Sequence, residues 1–290
     1  MTGWSALRAR YRDLRDAADR GVPLADAWAA FGTEARAVAG TCPEHLTLLL
    51  AEIERRFAGI DRAQVAILDH GCGSGVTVMV LAALGYTNVR GVDVGGDPST
   101  LNRIARSALG HADDRFQIYD GDRLPIADAC IDVVLSQQVL EHVRPAVFER
   151  YYSEEARVLR PGGIAYHQVP HRLAPYDSHS RTWLLHYLPR PLFMGVLRLF
   201  RSDVATLESH LYLRWPWRHR RMVRRAIGPC TDLTLSRLKT VRTLETYEGA
   251  RSLRRLIDRS IDLPLIGGAI GGALTWFVQI DTVAVRRNEA

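Results

Sequence analysis

The stretch VAILDHGCGSG, residues 65–75, constrains this chain more than any other, because an apolar run ends in a loop with glycine at alternate positions. Such a run reads as a strand that delivers its last residues to a ligand. Glycine lets the backbone turn sharply and approach the bound group closely. Further short apolar runs follow at VRGVDV (89–94), RFQIY (115–119), IDVVLS (131–136) and GIAYHQV (163–169), with helical stretches at 75–84, 98–109 and 144–160 between them. Strands alternating with helices predict an α/β fold with a parallel, doubly wound sheet. PGG at 161–163 reads as a helix stop followed directly by a strand.

The flanks read differently. Residues 4–60 are predicted helical, with Leu7, Tyr11, Leu14 and Ala18, then Leu46, Leu49, Leu50, Ile53 and Phe57, at helical spacing. After Pro170 the alternation lapses, and 171–228 reads as an arginine- and aromatic-rich insertion. TDLTLSRLKTV (231–241) and TWFVQIDTVAVRR (275–287) read as strands, the second with Trp276, Val278, Ile280 and Thr282 on one face. LPLIGGAIGGALTWFV (263–278) is uncharged, with Arg254, Arg255 and Arg259 before it and Arg286 and Arg287 after it. It is short for a membrane span and its glycine pairs weaken a helix, so a buried turn and strand is expected. The predicted organisation is a helical N-terminal segment (1–62), a ligand-binding core (63–170), a helical cap on the acceptor side (171–230) and a C-terminal part (231–290) completing the sheet.

The formal charge is +6, but Lys239 is the only lysine, so the arginine excess reads as codon bias rather than as a nucleic-acid surface. LRWPWRHRRMVRR (213–225) interleaves arginine with tryptophan as single-strand binders do, yet no RNA-binding module accompanies it. Nucleic acid is therefore disfavoured as a partner. Peripheral membrane contact remains an expectation for this run or for 263–278. Cys42, Cys72, Cys130 and Cys230 form no CxxC pair, which predicts a reduced, cytoplasmic protein without a disulfide framework or zinc site. Cys72 reads as a small residue that fits the loop. The N-terminus, MTGWSALRARYRDLRDAADRG, shows no apolar signal core.

Which ligand the loop holds turns on two carboxylates. Asp93, ending the second strand, could hold both hydroxyls of a ribose, as in dinucleotide sites. The spacing Gly71-Cys-Gly73-Ser-Gly75 differs from the dinucleotide fingerprint, and Asp69 at the loop's mouth would repel a pyrophosphate. A ligand with an ammonium group and a positive sulfonium suits that mouth better. S-adenosylmethionine has both and carries no phosphate.

VAILDHGCGSG, GVDVG, YDGDRLPIADACIDVVLSQQVLEHV and EEARVLRPGGIAYHQVP resemble, in order and spacing, the successive motifs of class I S-adenosylmethionine-dependent methyltransferases over about residues 64–171. The resemblance implies a Rossmann-like, seven-stranded sheet whose last strand (275–287) runs antiparallel, with S-adenosylmethionine as cofactor. It implies that Gly71, Gly73 and Gly75 lie along the methionine part and that Asp69 lies near its amino group. Asp93 would take the ribose, Asp120 and Gly121 the adenine, and Ser136 and Gln137 the region of the methionyl group. Each strand-ending aspartate could instead merely cap the next helix. Ile126 and Cys130-Ile131 stand where related sequences often carry an aromatic residue.

For the acceptor, a hydroxyl needs a general base, and histidine titrates near working pH. His167, His171, His179 and His186 share one stretch. His171 and His179 follow the fifth strand and are the candidate bases, with Asp177 placed to orient an imidazole and His142 of LEHV a third candidate. A divalent ion on Asp177, His179 and His186 is an alternative, but magnesium asks for more oxygen ligands, and no metal ligand is assigned. VPHRLAPYDSHSRTWLLHYLPR also resembles a segment of bacterial methyltransferases of surface polysaccharide and glycolipid assembly. That tilts the expected activity towards O-methylation of a small molecule, sugar or glycolipid. N- or C-methylation, and a non-catalytic cofactor-binding regulator, are the alternatives.

Overall fold

Adjacent apolar residues on the central strands point to opposite faces of the sheet, as the two-residue period of a strand requires. Ile67, Val133, Ile164 and Val283 enter the core on one side, and Leu68, Val134, Ala165 and Ala284 enter it on the other. The computed structural model that shows this describes residues 3–38, 44–111, 113–240 and 258–288. Cys42, Val241, Arg254 and Arg255, which figured in the sequence reading, lie outside them.

The sheet contains β1 (Ile67–His70), β2 (Val89–Asp93), β3 (Phe116–Ile118), β4 (Ile131–Gln137), β5 (Leu159–Val169), β8 (Cys230–Asp232) and β9 (Ile280–Val285), in the order β3-β2-β1-β4-β5-β9-β8. β1 to β5 pair in parallel, while β9 runs antiparallel to both β5 and β8. This is the expected doubly wound, seven-stranded sheet with its last strand reversed. Its order turns back between β1 and β4, and ligands of such sheets bind at the carboxyl ends of the strands flanking that switch.

One face is covered by α1 (Gly3–Asp19), α2 (Ala25–Val38), α3 (Glu44–Arg56), α4 (Val76–Ala83) and α5 (Pro98–Leu109), through Leu7, Phe31, Leu49, Met79 and Ile104 among others. The other face is covered by α6 (Phe148–Val158) and α9 (Pro216–Ala226), through Phe148, Tyr152, Met222 and Val223. α5 begins on an Asp97 cap with Pro98 in its first turn and stops at Gly110 in the left-handed conformation, as its sequence dictates. Between β5 and α9 lie a small hairpin, β6 (Tyr176–Asp177) with β7 (Thr182–Trp183), and the helices α7 (Arg190–Leu197) and α8 (Val204–His210).

The structure departs from the sequence reading at three places. PGG is a bulge inside β5: α6 ends at Val158, Leu159 already pairs with Ile131, and the register resumes only at Ile164. Of the strand expected over 231–241, only Cys230–Asp232 forms. Thr234–Thr240 is the helix α10, which buries Thr234, Arg237 and Leu238. Residues Gly267–Leu274, expected as turn and strand, form the helix α11, and β9 begins only at Ile280. Gly267 and Gly271 let that helix lie close, since a Cβ on Gly267 would stand 2.2 Å from the Ile261 carbonyl oxygen and one on Gly271 2.7 Å from Leu235.

Candidate functional site

The loop after β1 is tied to β2 at both ends of its first turn. The N–H groups of Gly71 and Cys72 donate to the Val92 carbonyl at 2.8 and 3.1 Å, and Gly73 N–H donates to Asp93 Oδ2 at 2.7 Å. Gly71, Gly73 and Gly75 all have positive φ, at 90°, 50° and 77°. Their surroundings differ. A Cβ on Gly71 would fall 2.4 Å from Val139, and one on Gly75 3.0 Å from Leu101 and Phe116, whereas one on Gly73 would meet nothing within 4 Å. Two glycines are therefore demanded by packing, and the third opens onto space. Cys72 is turned away: a Cβ on Gly91 would stand 2.8 Å from its Sγ, and burial pushes its thiol up.

The mouth of this loop is acidic. Asp69 is 4% exposed, and no protein donor reaches its carboxylate among the described residues. Burial, reinforced by the charge of Asp93, pushes it up to about 7. Asp93 also accepts from the Val94 N–H at 2.7 Å, so its carboxylate braces the loop as well as facing it. Asp120 caps its own turn, accepting from the N–H groups of Asp122 and Arg123. Gly121, at φ 82°, lets that turn close on Val94, beside Asp93. Ser136 points into the core, where its hydroxyl shares a hydrogen bond of 2.8 Å with Tyr151, so any ligand contact from it falls to its backbone. Gln137 Nε2 is buried without a partner among the described residues.

Beneath the loop runs a buried chain of polar groups. His70 bonds Glu155 at 3.0 Å through Nδ1 and Tyr119 at 2.8 Å through Nε2, and it stacks on Tyr151. Glu155 also meets His167 at 2.7 Å. Burial alone would raise the Glu155 carboxyl, but His167 and His70 hold it down to about 2. His167, on β5, is thus tied into this buried chain through Glu155.

The candidate bases separate clearly. Both ring nitrogens of His171 are engaged by backbone, Nε2 with the Val278 carbonyl at 2.6 Å and Nδ1 with the Leu173 N–H at 3.2 Å. Burial lowers its pKa to about 4. With no lone pair free, His171 is not placed to act as a base. His142 and His179 instead meet edge to face with ring centroids 4.9 Å apart, on either side of Glu141. His179 Nδ1 lies 3.3 Å from Asp177 Oδ1, and this bond raises the imidazole's pKa. The Asp177 carboxyl, despite burial, is held at about 2 by His179 and Ser180. Asp177, His171 and His186 line a cavity of about 160 Å³ together with Gln138 and Tyr176.

A family model described as a methyltransferase domain matches residues 68–167. An uncharacterised methyltransferase of Mycolicibacterium vanbaalenii is 33% identical over 150 residues, 51% of this chain and 56% of that protein. Residues 68–167 are a class I S-adenosylmethionine-dependent methyltransferase domain. A relative from Mycobacterium sp. strain KMS, also an uncharacterised methyltransferase, is 36% identical over 122 residues, 42% of this chain and 45% of that one. The chain thus spans about half the length of the curated relatives it matches. Among solved structures, the S-adenosylmethionine-dependent methyltransferase from Mesorhizobium loti superposes with TM-score 0.49 at 18% identity, over 85% of this chain and all of that one (100%).

Two residues at the candidate site escaped the sequence reading. Tyr11, a member of the apolar stripe of α1, donates its hydroxyl to the Ser74 carbonyl and so brings the N-terminal helix onto the glycine loop. Its only signal was a polar tip among aliphatic neighbours. Glu141 is 1% exposed with both carboxylate oxygens unpartnered among the described residues. In LEHV it reads as an ordinary turn residue, because its burial depends on the cap.

Proposed function

We propose that this chain transfers a methyl group from S-adenosylmethionine to a hydroxyl oxygen on a small molecule, sugar or glycolipid. The cofactor supplies a methyl carbon already activated by a sulfonium, so the protein's work is to hold it, align the acceptor and take the acceptor's proton. The residues present suit the cofactor. Asp69, buried without a donor, matches an ammonium group, and the open side of Gly73 leaves room for the chain that carries it. Asp93 retains acceptor capacity for ribose hydroxyls beyond its two strong backbone bonds, and the turn at Asp120 and Gly121 adjoins it.

The observation that carries the oxygen acceptor is the group of Glu141, His142, His179 and Asp177. It follows β4 and β5 at the carboxyl edge of the sheet. It also adjoins the glycine loop, since Val139 packs on Gly71 and Glu141 stands two residues further on. An amine acceptor needs only to be neutral, whereas a hydroxyl needs a proton acceptor, which this group supplies. His179 is the base in this reading and Asp177 orients it. The test is transfer of labelled methyl by wild type and His179→Ala to a fractionated extract. Label entering an ether of a polar or lipid fraction, and lost in the variant, supports the reading. Cofactor binding with no turnover on any fraction would favour the regulator.

A lipid-linked acceptor has its own support. No described helix is long and apolar enough to cross a membrane. Yet Leu263, Leu265, Ile266, Trp276 and Phe277 are exposed, and Arg220 of the basic helix α9 lies over the Trp276 ring at 5.1 Å. Apolar side chains next to a basic helix suit an anionic membrane surface.

A further inference from the structure

We propose that Glu141, His142 and His179 form a binding site for one divalent transition-metal ion of the zinc and cobalt type. The ligand atoms are already gathered: Glu141 Oε1 lies 3.9 Å from His142 Nε2 and 3.7 Å from His179 Nε2, and one ligand atom from each of the three residues falls within 4.8 Å of the others. Two imidazoles and a carboxylate around an ion at about 2.1 Å would sit about 3.4 Å apart, so the carboxylate needs to close by about 0.5 Å or less and the two imidazoles, within 4.8 Å of each other, by about 1.4 Å at most.

Three further observations point to an ion rather than to a chance cluster. Both imidazoles are held at Nδ1, His142 by the His210 carbonyl at 2.8 Å and His179 by the Asp177 carboxylate at 3.3 Å. Each bond places the proton on Nδ1 and leaves the Nε2 lone pair facing Glu141, the outer-shell arrangement that orients metal-binding histidines. Glu141 is the second. Its side chain is fully buried and both oxygens lack a partner among the described residues, a costly state for a carboxylate unless a cation answers it. Arg214, before α9, whose charge also reaches Glu141, spends two nitrogens on the carbonyls of Leu140 and Val143. Access is the third. The His142 side chain is 43% exposed, so an ion can reach the site from solvent.

Three protein ligands leave a coordination position open. In the oxygen-acceptor reading, on which this extension alone rests, the acceptor hydroxyl binds there and loses its proton to solvent water at a lowered pKa. The ion then does what His179 would do as a free base. Nitrogen ligands favour zinc, cobalt or nickel over magnesium.

The test uses untagged protein treated with chelator and titrated with Co2+ and Zn2+, with S-adenosylhomocysteine calorimetry on the same samples. The expected result is one equivalent of Co2+ per chain, with visible bands of a four- or five-coordinate nitrogen and oxygen site. Glu141→Gln and His142→Ala should each weaken Zn2+ by more than about 100-fold, and Asp177→Asn by roughly 10- to 100-fold. Absence of the Co2+ bands, a thiolate charge-transfer band, unchanged affinity in the variants, or displacement by millimolar Mg2+ would each overturn the site. Normal binding of S-adenosylhomocysteine alongside a failed metal titration would leave the methyltransferase reading intact, and a loaded metal site without cofactor binding would do the reverse.

Discussion

Replacing Asp69 by asparagine should stabilise the protein and disable its cofactor site at once. The carboxyl titrates at about 7 because it is buried beside Asp93 with no donor to offset desolvation. Its folded-state value lies above the unfolded value near 3.8, so the native chain binds the extra proton between those two limits. Stability from this group therefore falls as pH rises through that window, and the full penalty applies above about 7. A separation of this size corresponds to about 4 kcal/mol at most. For a chain of this length roughly 2 °C accompanies each kcal/mol, so Asp69→Asn should melt as much as about 8 °C higher at pH 8 and almost unchanged at pH 4. The same change removes the partner of the ligand's ammonium group, a charge-assisted bond of about 1.5–3 kcal/mol, so the dissociation constant for S-adenosylhomocysteine should rise roughly 10- to 100-fold. Scanning fluorimetry at the two pH values and calorimetry with S-adenosylhomocysteine read both effects. A variant that melts like wild type at pH 8, or binds S-adenosylhomocysteine as tightly, would show that Asp69 does not sit buried and unpaired against the cofactor.

Further expectations follow from the same geometry. Gly71→Ala should fail to fold or melt far lower, because its Cβ would stand 2.4 Å from Val139, while Gly73→Ala should fold and lose S-adenosylhomocysteine binding, since only open space surrounds it. Circular dichroism with calorimetry separates the two. Asp93→Ala should weaken S-adenosylmethionine and S-adenosylhomocysteine alike by roughly 2–4 kcal/mol, as both present the same ribose, and unchanged affinity would remove it from the site. His179→Ala should lower turnover roughly 10²–10⁴-fold with cofactor affinity intact, and in metal-free wild type the rate should rise with pH through a value above 6.5, because Asp177 raises the imidazole and only its neutral form accepts a proton. His171→Gln should instead lose about 1–2 kcal/mol of stability with little change in turnover, since its bonds are to backbone.

What the sequence made legible is what short-range physics fixes. The five parallel strands and the glycine loop announce themselves because a buried strand is an uninterrupted apolar run and a left-handed turn demands glycine. TDLTLSRLKTV misled because its threonines and leucines suit a strand, yet from Thr234 the chain forms a helix whose Thr234 and Arg237 reach β9. The glycine pairs of 263–278 argued against a helix, but Gly267 and Gly271 are small because neighbouring chain lies against them. In the site, His142 and His179 stand far apart in sequence. Nothing in either local pattern says that Glu141 lies between them, or that His171 turns inward to Val278.

The central claim is that this chain binds S-adenosylmethionine through the β1 loop and passes its methyl group to an oxygen. Incubation with methyl-labelled S-adenosylmethionine and a fractionated extract, comparing wild type with Asp93→Ala, tests it most directly. The account predicts label in a glycan, lipid or small-molecule fraction as a base-stable methyl ether, formed by wild type and lost in the variant. Label appearing on nitrogen or nucleic acid, or no transfer by a protein that binds the cofactor tightly, would contradict it.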